Sequence, residues 1–362
     1  MAEKSSSRRP GGSAFKQQRL KSCQPVIAPK SVIPIFYLIA IIFAPLGGYL
    51  LHESDKVSEL VIDYTNCAQS ESNGGAPVGE FNNMPLNNVV IAFYKPQISY
   101  SFPRWRKREV LAWNETITQC VIQFTIPTEL KAPIYFLYRL TNFYQNERSY
   151  VKSLDPDQLS GEKPSPAQLA NNCKGLWETA DHKIIYPCGV IANSMFNDTF
   201  SNLTLVNSPI KDIPTSYNFS QKGIAAIEDD DKYGETTYNI SEIVPPPNWV
   251  KRYPNGQYTP EYPPINPSED ELFQVWMRLA GLPRFRKLYG INKNDTMAIG
   301  TYELVIDLLW PVSSGKKAFV IATATHIGGK NPFLGLAYII IGMLGGVLGI
   351  VFTVKHFLHA PR

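Results

Sequence analysis

Two long apolar runs without charged residues, one near each end of the chain, constrain this sequence more than any other feature. The run from Ser31 to Leu51 contains 21 residues and would measure roughly 31 Å as an α-helix. The run from Asn331 to Val354 contains 24 residues and would measure about 36 Å. Because the hydrocarbon core of a bilayer is about 30 Å thick, each run predicts a transmembrane helix.

Basic residues flank both runs on their outer sides. Residues 1–30 contain seven Lys and Arg and one acid, residues 355–362 contain two Lys and Arg, and the stretch between has 26 basic and 30 acidic residues. Lys and Arg accumulate on the cytosolic side of membrane spans. The predicted organisation is therefore a cytosolic tail (1–30), transmembrane helix 1 (31–51), a luminal or extracellular domain (52–330), transmembrane helix 2 (331–354) and a second cytosolic tail (355–362).

A cleaved signal peptide is the alternative interpretation of the first run. Its apolar stretch exceeds the usual length of about 7–15 residues, the preceding 30 residues are long for such a leader, and no small-residue cleavage box follows cleanly. An uncleaved pair of helices fits these features better.

The cysteines and glycosylation sequons agree with an outer compartment for the middle of the chain. Of five cysteines, Cys23 falls in the cytosolic tail and four fall in the outer domain, where an oxidising environment favours disulfides over free thiols. Four cysteines allow three pairings, and the sequence does not choose between them; sequential pairing, Cys67 with Cys120 and Cys173 with Cys188, is our expectation. All six Asn-x-Ser/Thr sequons lie between the two runs, at Asn114, Asn197, Asn202, Asn218, Asn239 and Asn294.

The outer domain reads as mainly β. Short β-branched and aromatic runs alternate with Pro, Gly and Asn, as in "NNVVIAFY", "CVIQFTI", "PIYFLYRL", "IGTYELVIDLLW" and "KAFVIATATHI". They predict an antiparallel β-sandwich with short helical and loop insertions. One amphipathic helix is expected in "PSEDELFQVWMRLAGLP", with Ser268 as its N-cap and Gly281 and Pro283 as its stop. The proline-rich stretch from Pro245 to Pro267 is expected to follow the surface as an extended loop.

No motif predicts catalysis or a cofactor. The sequence lacks a glycine-rich phosphate loop, a dinucleotide-binding fingerprint and the Asp-Lys-Thr-Gly-Thr segment that P-type ATPases phosphorylate, and its five histidines show no metal-ligand spacing. "EDDD" at Glu228–Asp231 lacks the alternating spacing of a calcium loop. "FPRWRKREVLAWN" mixes basic and aromatic residues and favours a hairpin edge, or contact with headgroups or an acidic partner, over a nucleic-acid platform.

Both predicted membrane helices contain features that favour a helical neighbour. Pro45 cannot donate a backbone hydrogen bond to Ile41, and Gly47 and Gly48 follow it. In the second helix Gly342 and Gly346 have the small-x-x-x-small spacing that lets another helix approach closely. The neighbour is either the other helix of this chain or a partner.

Six separated blocks resemble one family, the accessory β-subunits of phospholipid-flipping type IV P-type ATPases, known as the cell-division-control-protein-50 and ligand-effect-modulator family. The resemblance extends from Phe15 to Val354 and rests on "AFKQQRLKSCQPVIAPKSVIP", "NFYQNERSYVKS", "PCGVIANSMFNDTF", "VPPPNW", "VWMRLAGLPRFRKLYG" and "GGKNPFLGLAY".

The resemblance implies a chain without enzymatic activity of its own, in a one-to-one complex with a ten-helix catalytic α-subunit. It also implies that this chain supports exit of that subunit from the endoplasmic reticulum towards the Golgi, endosome or plasma membrane, and the disulfide pairing given above. The expected partner-binding residues lie in the N-terminal tail and at the second helix: Phe15, Gln17, Gln18, Arg19, Leu20, Asn331, Pro332, Phe333, Gly342 and Gly346. Two alternatives from other classes are a stand-alone adhesion or ligand-binding glycoprotein and a luminal hydrolase.

Overall fold

A computed structural model describes residues 13, 15, 19, 29–112, 115–312 and 314–358. The chain divides into two compact units. One contains the two terminal helices, up to Leu51 and from Pro332 onward, and the other is the outer domain, His52–Asn331.

The helices of the described residues are two long ones at the ends and five short ones between them. In chain order they are α1 Pro29–Lys56, α2 Arg148–Val151, α3 Pro156–Leu159, α4 Pro166–Cys173, α5 Val190–Asn193, α6 Glu271–Met277 and α7 Pro332–Leu358. Both α1, over Ser31–Lys56, and α7 are long and apolar enough to cross a membrane.

Fourteen strands are described, and most belong to two antiparallel sheets. In chain order they are β1 Glu59–Asp63, β2 Asn82–Asn83, β3 Val89–Ala92, β4 Arg104–Ala112, β5 Glu115–Ile126, β6 Ile134–Thr141, β7 Ile184–Ile185, β8 Thr199–Phe200, β9 Leu203–Asn207, β10 Ser216–Tyr217, β11 Ile243–Val244, β12 Phe285–Asn292, β13 Gly300–Asp307 and β14 Lys316–Thr323.

The first sheet, sheet A, has the order β12-β6-β14-β1-β3, and the second, sheet B, has the order β10-β9-β13-β5-β4-β2, with β8 also on β13. The five predicted β-runs overlap β3, β5, β6, β13 and β14, and β5 begins five residues before its predicted run. The basic and aromatic segment forms β4, the hairpin partner of β5.

The two sheets pack face to face through one hydrophobic core. Alternate residues of each strand point inward, so that Phe124 of β5 and Tyr302 of β13 meet Phe136 of β6 and Phe319 of β14. The ring centroids of Phe124 and Phe319 are 5.6 Å apart. Burying side chains of this size supplies the main driving force for such a sandwich. The predicted fold class, two apolar helices with a mainly β sandwich domain, is confirmed.

A second core lies under the helical insertions and corrects one expectation. The proline-rich segment is not simply an extended surface loop, because it forms two 3-10 turns, Pro247–Arg252 and Pro254–Gly256. Trp249 is completely buried against Phe273 of α6. Proline disfavours regular helix and strand, but it leaves the aromatic residues between the prolines free to pack.

The expected N-cap and stop of α6 were also wrong. Ser268 donates its hydroxyl to Asn266 within a turn, and Asp270 caps the helix by accepting from the amide of Phe273 at 2.9 Å. Asp caps as well as Ser, so the sequence alone left both candidates open. The helix ends at Met277, before Gly281, because Arg278 adopts an extended conformation.

Lys287 occupies the C-terminal end of α6. Its Nζ donates to the carbonyl oxygens of Val275, Trp276 and Arg278 at 2.7, 2.8 and 2.5 Å. The last carbonyl groups of a helix have no intrahelical hydrogen-bond donors. The ammonium group of Lys287 donates to them in place of the amides of a further helical turn. Burial lowers the pKa of Lys287 to about 7.

We expect Lys287 to make the chain more stable as the pH rises above about 7. An unfolded lysine keeps its proton to about pH 10, whereas the folded one releases it near 7. Between these values the unfolded state binds more protons, so the free energy of unfolding increases with pH; below pH 7 both states are protonated and the contribution is constant. Lys287→Met should remove this rise, and Lys131→Met, at an exposed position, should keep it. Denaturant unfolding of the full-length chain at several pH values measures both slopes; equal slopes for the parent and Lys287→Met would contradict the assignment.

Two disulfides link distant parts of the outer domain. Cys67 is bonded to Cys120, with Cα atoms 6.0 Å apart, and Cys173 to Cys188, with Cα atoms 5.7 Å apart. The bonded cysteines are separated by 53 residues in the first disulfide and by 15 residues in the second. In the chain-entropy model closing loops of these lengths is worth about 4 and about 3 kcal/mol. The first fastens the segment after β1 to the centre of sheet B, and the second ties α4 to the segment before α5.

Candidate partner-binding site

The two terminal helices pack closely on each other through glycines. A Cβ atom built on Gly47 of α1 would lie 2.7 Å from the carbonyl oxygen of Gly335 and 2.8 Å from the amide nitrogen of Ile339, both in α7. Real Cβ atoms do not approach backbone so closely, so glycine is required there. The contact lies directly after Pro45, where the sequence predicted a locally weak helix that needs a neighbour.

The predicted glycine face of α7 contributes mainly to this pair. Gly342 is buried, and a Cβ on it would lie 2.8 Å from the amide nitrogen of Ala44. Gly346 is half-buried, and its Cβ would be 3.6 Å from the Cβ of Ala40. Of the two neighbours left open by the sequence, α1 itself occupies the position facing Gly342. The exposed surface of α7 instead consists of larger side chains such as Leu344 and Val347.

Substitution of Gly47 should separate the helix pair, and substitution of Gly48 should not. A Cβ on Gly48 meets nothing within 4 Å, whereas one on Gly47 collides with backbone atoms of α7. We therefore expect Gly47→Leu to lower the thermal stability of the detergent-solubilised chain, and Gly48→Leu, with the same change in size and apolarity, to leave it near the parent value. Scanning fluorimetry of the three proteins makes the comparison, and equal transitions would show that the glycine contact is not needed.

Three of the predicted partner-binding residues, Asn331, Pro332 and Phe333, lie at the N-terminal end of α7. The amide of Asn331 donates to the hydroxyl of Ser54 at 3.0 Å. Pro332 is the first residue of α7, where its missing amide hydrogen has no cost. Phe333 is 75% exposed. An aromatic side chain this open suits burial by a partner or by lipid.

The N-terminal motif is described at two of its predicted contact residues. Phe15 is 75% exposed, and Arg19 is also exposed. Gln17, Gln18 and Leu20 lie outside the described residues. The tail therefore remains a predicted binding segment.

Four of the predicted sequons carry an exposed asparagine: Asn202, Asn218, Asn239 and Asn294. Asn197 is buried, and its amide nitrogen donates to the carbonyl oxygen of Asn248 at 2.9 Å. Of the five sequon asparagines that the structure describes, Asn197 is therefore the only buried one, and a bulky sugar needs an accessible side chain. Asn114 lies outside the described residues.

The most deeply buried charged pair in the described residues is structural. Lys317 and Asp198 form an ion pair at 2.7 Å with 5% and 0% of their side-chain surface exposed. Asp198 also accepts from the hydroxyl of Tyr64 at 3.0 Å and from the amides of Leu309 and Trp310. Burial and the nearby Asp198 carboxylate raise the pKa of Tyr64 well above its usual value. Both carboxylate oxygens of Asp198 therefore already have partners within this chain. Because two of those partners are the amides of Leu309 and Trp310, the pair anchors the loop after β13.

The part of the chain that the structure describes contains no group of three or more His, Cys, Asp or Glu arranged to bind a metal ion. In the "EDDD" segment, Asp229 is buried and its carboxylate accepts from Lys232 at 2.5 Å within a 3-10 turn.

The LEM3 (ligand-effect modulator 3) family / CDC50 family model matches residues 50–362. The chain belongs to this family. It is 42% identical over 360 residues to the phospholipid-transporting ATPase accessory subunit CRF1 of Saccharomyces cerevisiae, covering 98% of this chain and 87% of that protein. It is 39% identical over 352 residues to the accessory subunit LEM3 of the same yeast, covering 95% and 82% of the two chains. It is 36% identical over 361 residues to cell cycle control protein 50A of Mus musculus, covering 96% and 89%.

Proposed function

We propose that this CDC50/LEM3 family chain is the non-catalytic accessory subunit of a phospholipid-transporting type IV P-type ATPase. The observation that carries the proposal is the similarity, over nearly the whole chain, to proteins named as accessory subunits of phospholipid-transporting ATPases. Two apolar helices and a large disulfide-linked outer domain fit a chain that accompanies another membrane protein. The stand-alone adhesion glycoprotein is not favoured.

In this proposal the catalytic subunit performs ATP hydrolysis and provides the lipid path. This chain stabilises that subunit, supports its exit from the endoplasmic reticulum and so supports lipid transfer to the cytosolic leaflet at the Golgi, endosome or plasma membrane. The excess of Lys and Arg outside the two helices supports cytosolic termini and an outer domain on the luminal side.

Within the complex, we assign the N-terminal motif to the cytosolic side of the partner. Phe15 is exposed in this chain and would gain burial on binding, and Arg19 would find acidic or backbone acceptors. Gln17, Gln18 and Leu20 complete the segment. Contact on both sides of the membrane would slow dissociation during the transport cycle.

Simultaneous replacement of Phe15, Gln18 and Arg19 by Ala tests this assignment. We expect less of the co-expressed catalytic subunit to leave the endoplasmic reticulum, less to co-purify and lower uptake of labelled phospholipid. Replacement of Ser5, Ser6 and Ser7 by Ala changes the same tail upstream of the motif and serves as the control. If the motif variant matched the parent in co-purification and lipid uptake, the role of the tail would be wrong.

A further inference from the structure

The outer surface of sheet A, which points away from the sandwich core, is crossed by a continuous apolar row. Val61 of β1, Leu137 of β6, Leu288 of β12 and Val320 of β14 lie on it in register across four neighbouring strands. The exposed side of an antiparallel sheet ordinarily carries polar residues. Leu137 and Leu288 are nevertheless half-exposed in this chain.

An ion pair crosses this surface. Arg286 of β12 makes two contacts with Glu59 of β1, at 2.6 and 2.9 Å, although β6 and β14 lie between their strands. Lys316 forms a second ion pair with Asp63, at 3.2 Å. Both acidic side chains of β1, Glu59 and Asp63, are therefore already paired within this chain. On the same surface Val61 and Val320 are almost completely buried, in a cluster with Ala318, Ala322 and Leu137.

Two further arginines on the same surface form no ion pair with a carboxylate of the described residues. Arg139 lies directly opposite Arg286, and neither Arg139 nor Arg284 has a carboxylate oxygen within 4 Å among the described residues. Arg139 is half-buried, and its Nε is buried without a hydrogen-bond partner in that part of the chain. Burial first, and then the neighbouring Arg284 and Arg286, lower the pKa of Arg139, and the carboxylates of Asp63 and Glu59, which lie beyond ion-pair distance, offset this only in part.

This arrangement is unfavourable in the isolated subunit. A guanidinium that has lost part of its water needs acceptors, and like charges directly opposite each other on neighbouring strands repel. An arriving carboxylate would supply both a counter-charge and the two parallel hydrogen bonds that suit an arginine.

On sheet B two of the three arginines of β4 are matched to carboxylates of their own chain. The third, Arg106, donates to the carbonyl oxygen of Gly79 at 3.1 Å and lies over the ring of Phe81, although its Nε has no hydrogen-bond partner among the described residues. On the outer surface of this sheet Arg104 donates to Gln123 at 3.0 Å, and Gln123 donates to Glu303 at 2.9 Å. In a second row Arg108 donates to Gln119 at 2.7 Å, and Gln119 donates to Asp307 at 2.7 Å. Arg104 and Arg108 therefore each belong to a row that ends in a carboxylate of the same chain, unlike Arg139 and Arg284 on sheet A.

We infer that the arginine surface of sheet A, defined by Leu137, Arg139, Arg284, Arg286 and Leu288, binds a carboxylate-bearing luminal loop of the catalytic subunit. The inference rests on the proposed function. The carboxylate pairs with Arg139 and Arg284, and apolar side chains of the same loop cover Leu137 and Leu288. A polypeptide loop provides both kinds of contact together, whereas a lipid headgroup provides only the charge.

The first test compares two double variants of the full-length chain, each co-expressed with a type IV P-type ATPase. Arg139→Ala with Arg284→Ala should reduce recovery of the ATPase in mild detergent by about tenfold or more, as expected for loss of desolvated charge pairs. Arg104→Ala with Arg108→Ala removes the same charge from sheet B and should change recovery less than about twofold. Circular dichroism and gel filtration of each variant verify folding.

A second test keeps the positive charge and identifies the contact directly. Arg139→Lys with Arg284→Lys places amines at both positions, and a zero-length carbodiimide then joins an amine to a carboxylate that touches it. We expect peptides in which position 139 or 284 is linked to an Asp or Glu of the ATPase. Links only to Glu59 or Asp63, links only to phosphatidylserine, or no links at all would overturn the inference.

The outcomes separate the two proposals. If the parent chain fails to recover any ATPase, the proposed function fails. If the parent recovers the ATPase and the sheet A double alanine variant recovers it equally well, the proposed function stands and the arginine surface is not the docking site.

Discussion

The pairing of β1 with β14 is the interaction on which the rest of the structure depends. The two strands are the first and last of the outer domain, and they lie side by side in sheet A with Val61 opposite Val320. Next to them, the amide of Ser58 donates to the hydroxyl of Thr323 at 3.0 Å, and the amide of Thr323 donates to the carbonyl of Ser58 at 3.0 Å. The pairing therefore joins the strand that follows α1 in the chain to the last strand before α7.

A contact between segments so far apart in sequence carries a large loop-closure entropy. The intervening chain offsets it with the sandwich core, with the disulfide between Cys67 and Cys120, and with the buried pair of Lys317 and Asp198. Lys317 itself belongs to β14, so the same strand supports the closure of the domain and the anchoring of the loop after β13.

The elements that the sequence predicted are those with strong local patterns. Uncharged apolar runs of helical length indicated α1 and α7, and alternating β-branched and aromatic residues indicated β5, β6, β13 and β14. β1 was missed because all five residues of "ELVID" are buried, including both acids, whose partners Arg286 and Lys316 are remote in sequence. The N-cap of α6 was misplaced because Ser268 and Asp270 give the same local signal.

The candidate site was predictable only in part, for the same reason. The tail motif and the start of α7 are contiguous in sequence, so a resemblance could indicate them. The arginine surface assembles Arg139 from β6 with Arg284 and Arg286 at β12, and its charge excess depends on which acids each arginine reaches. The sequence does not show which arginines have a carboxylate nearby. Arg104 and Arg108 also lie in a basic strand, and yet they are linked through glutamines to carboxylates of the same chain.

The central claim is that this chain acts through a catalytic partner, and one measurement tests it most directly. Tagged full-length chain is purified from native membranes in mild detergent, its companions are quantified by mass spectrometry, and ATP hydrolysis by the eluate is measured with and without added phospholipids. We expect a large P-type ATPase in equal amount, with a hydrolysis rate that rises on addition of one phospholipid. A chain that elutes alone, folded and glycosylated, with no lipid-stimulated hydrolysis, would contradict the account.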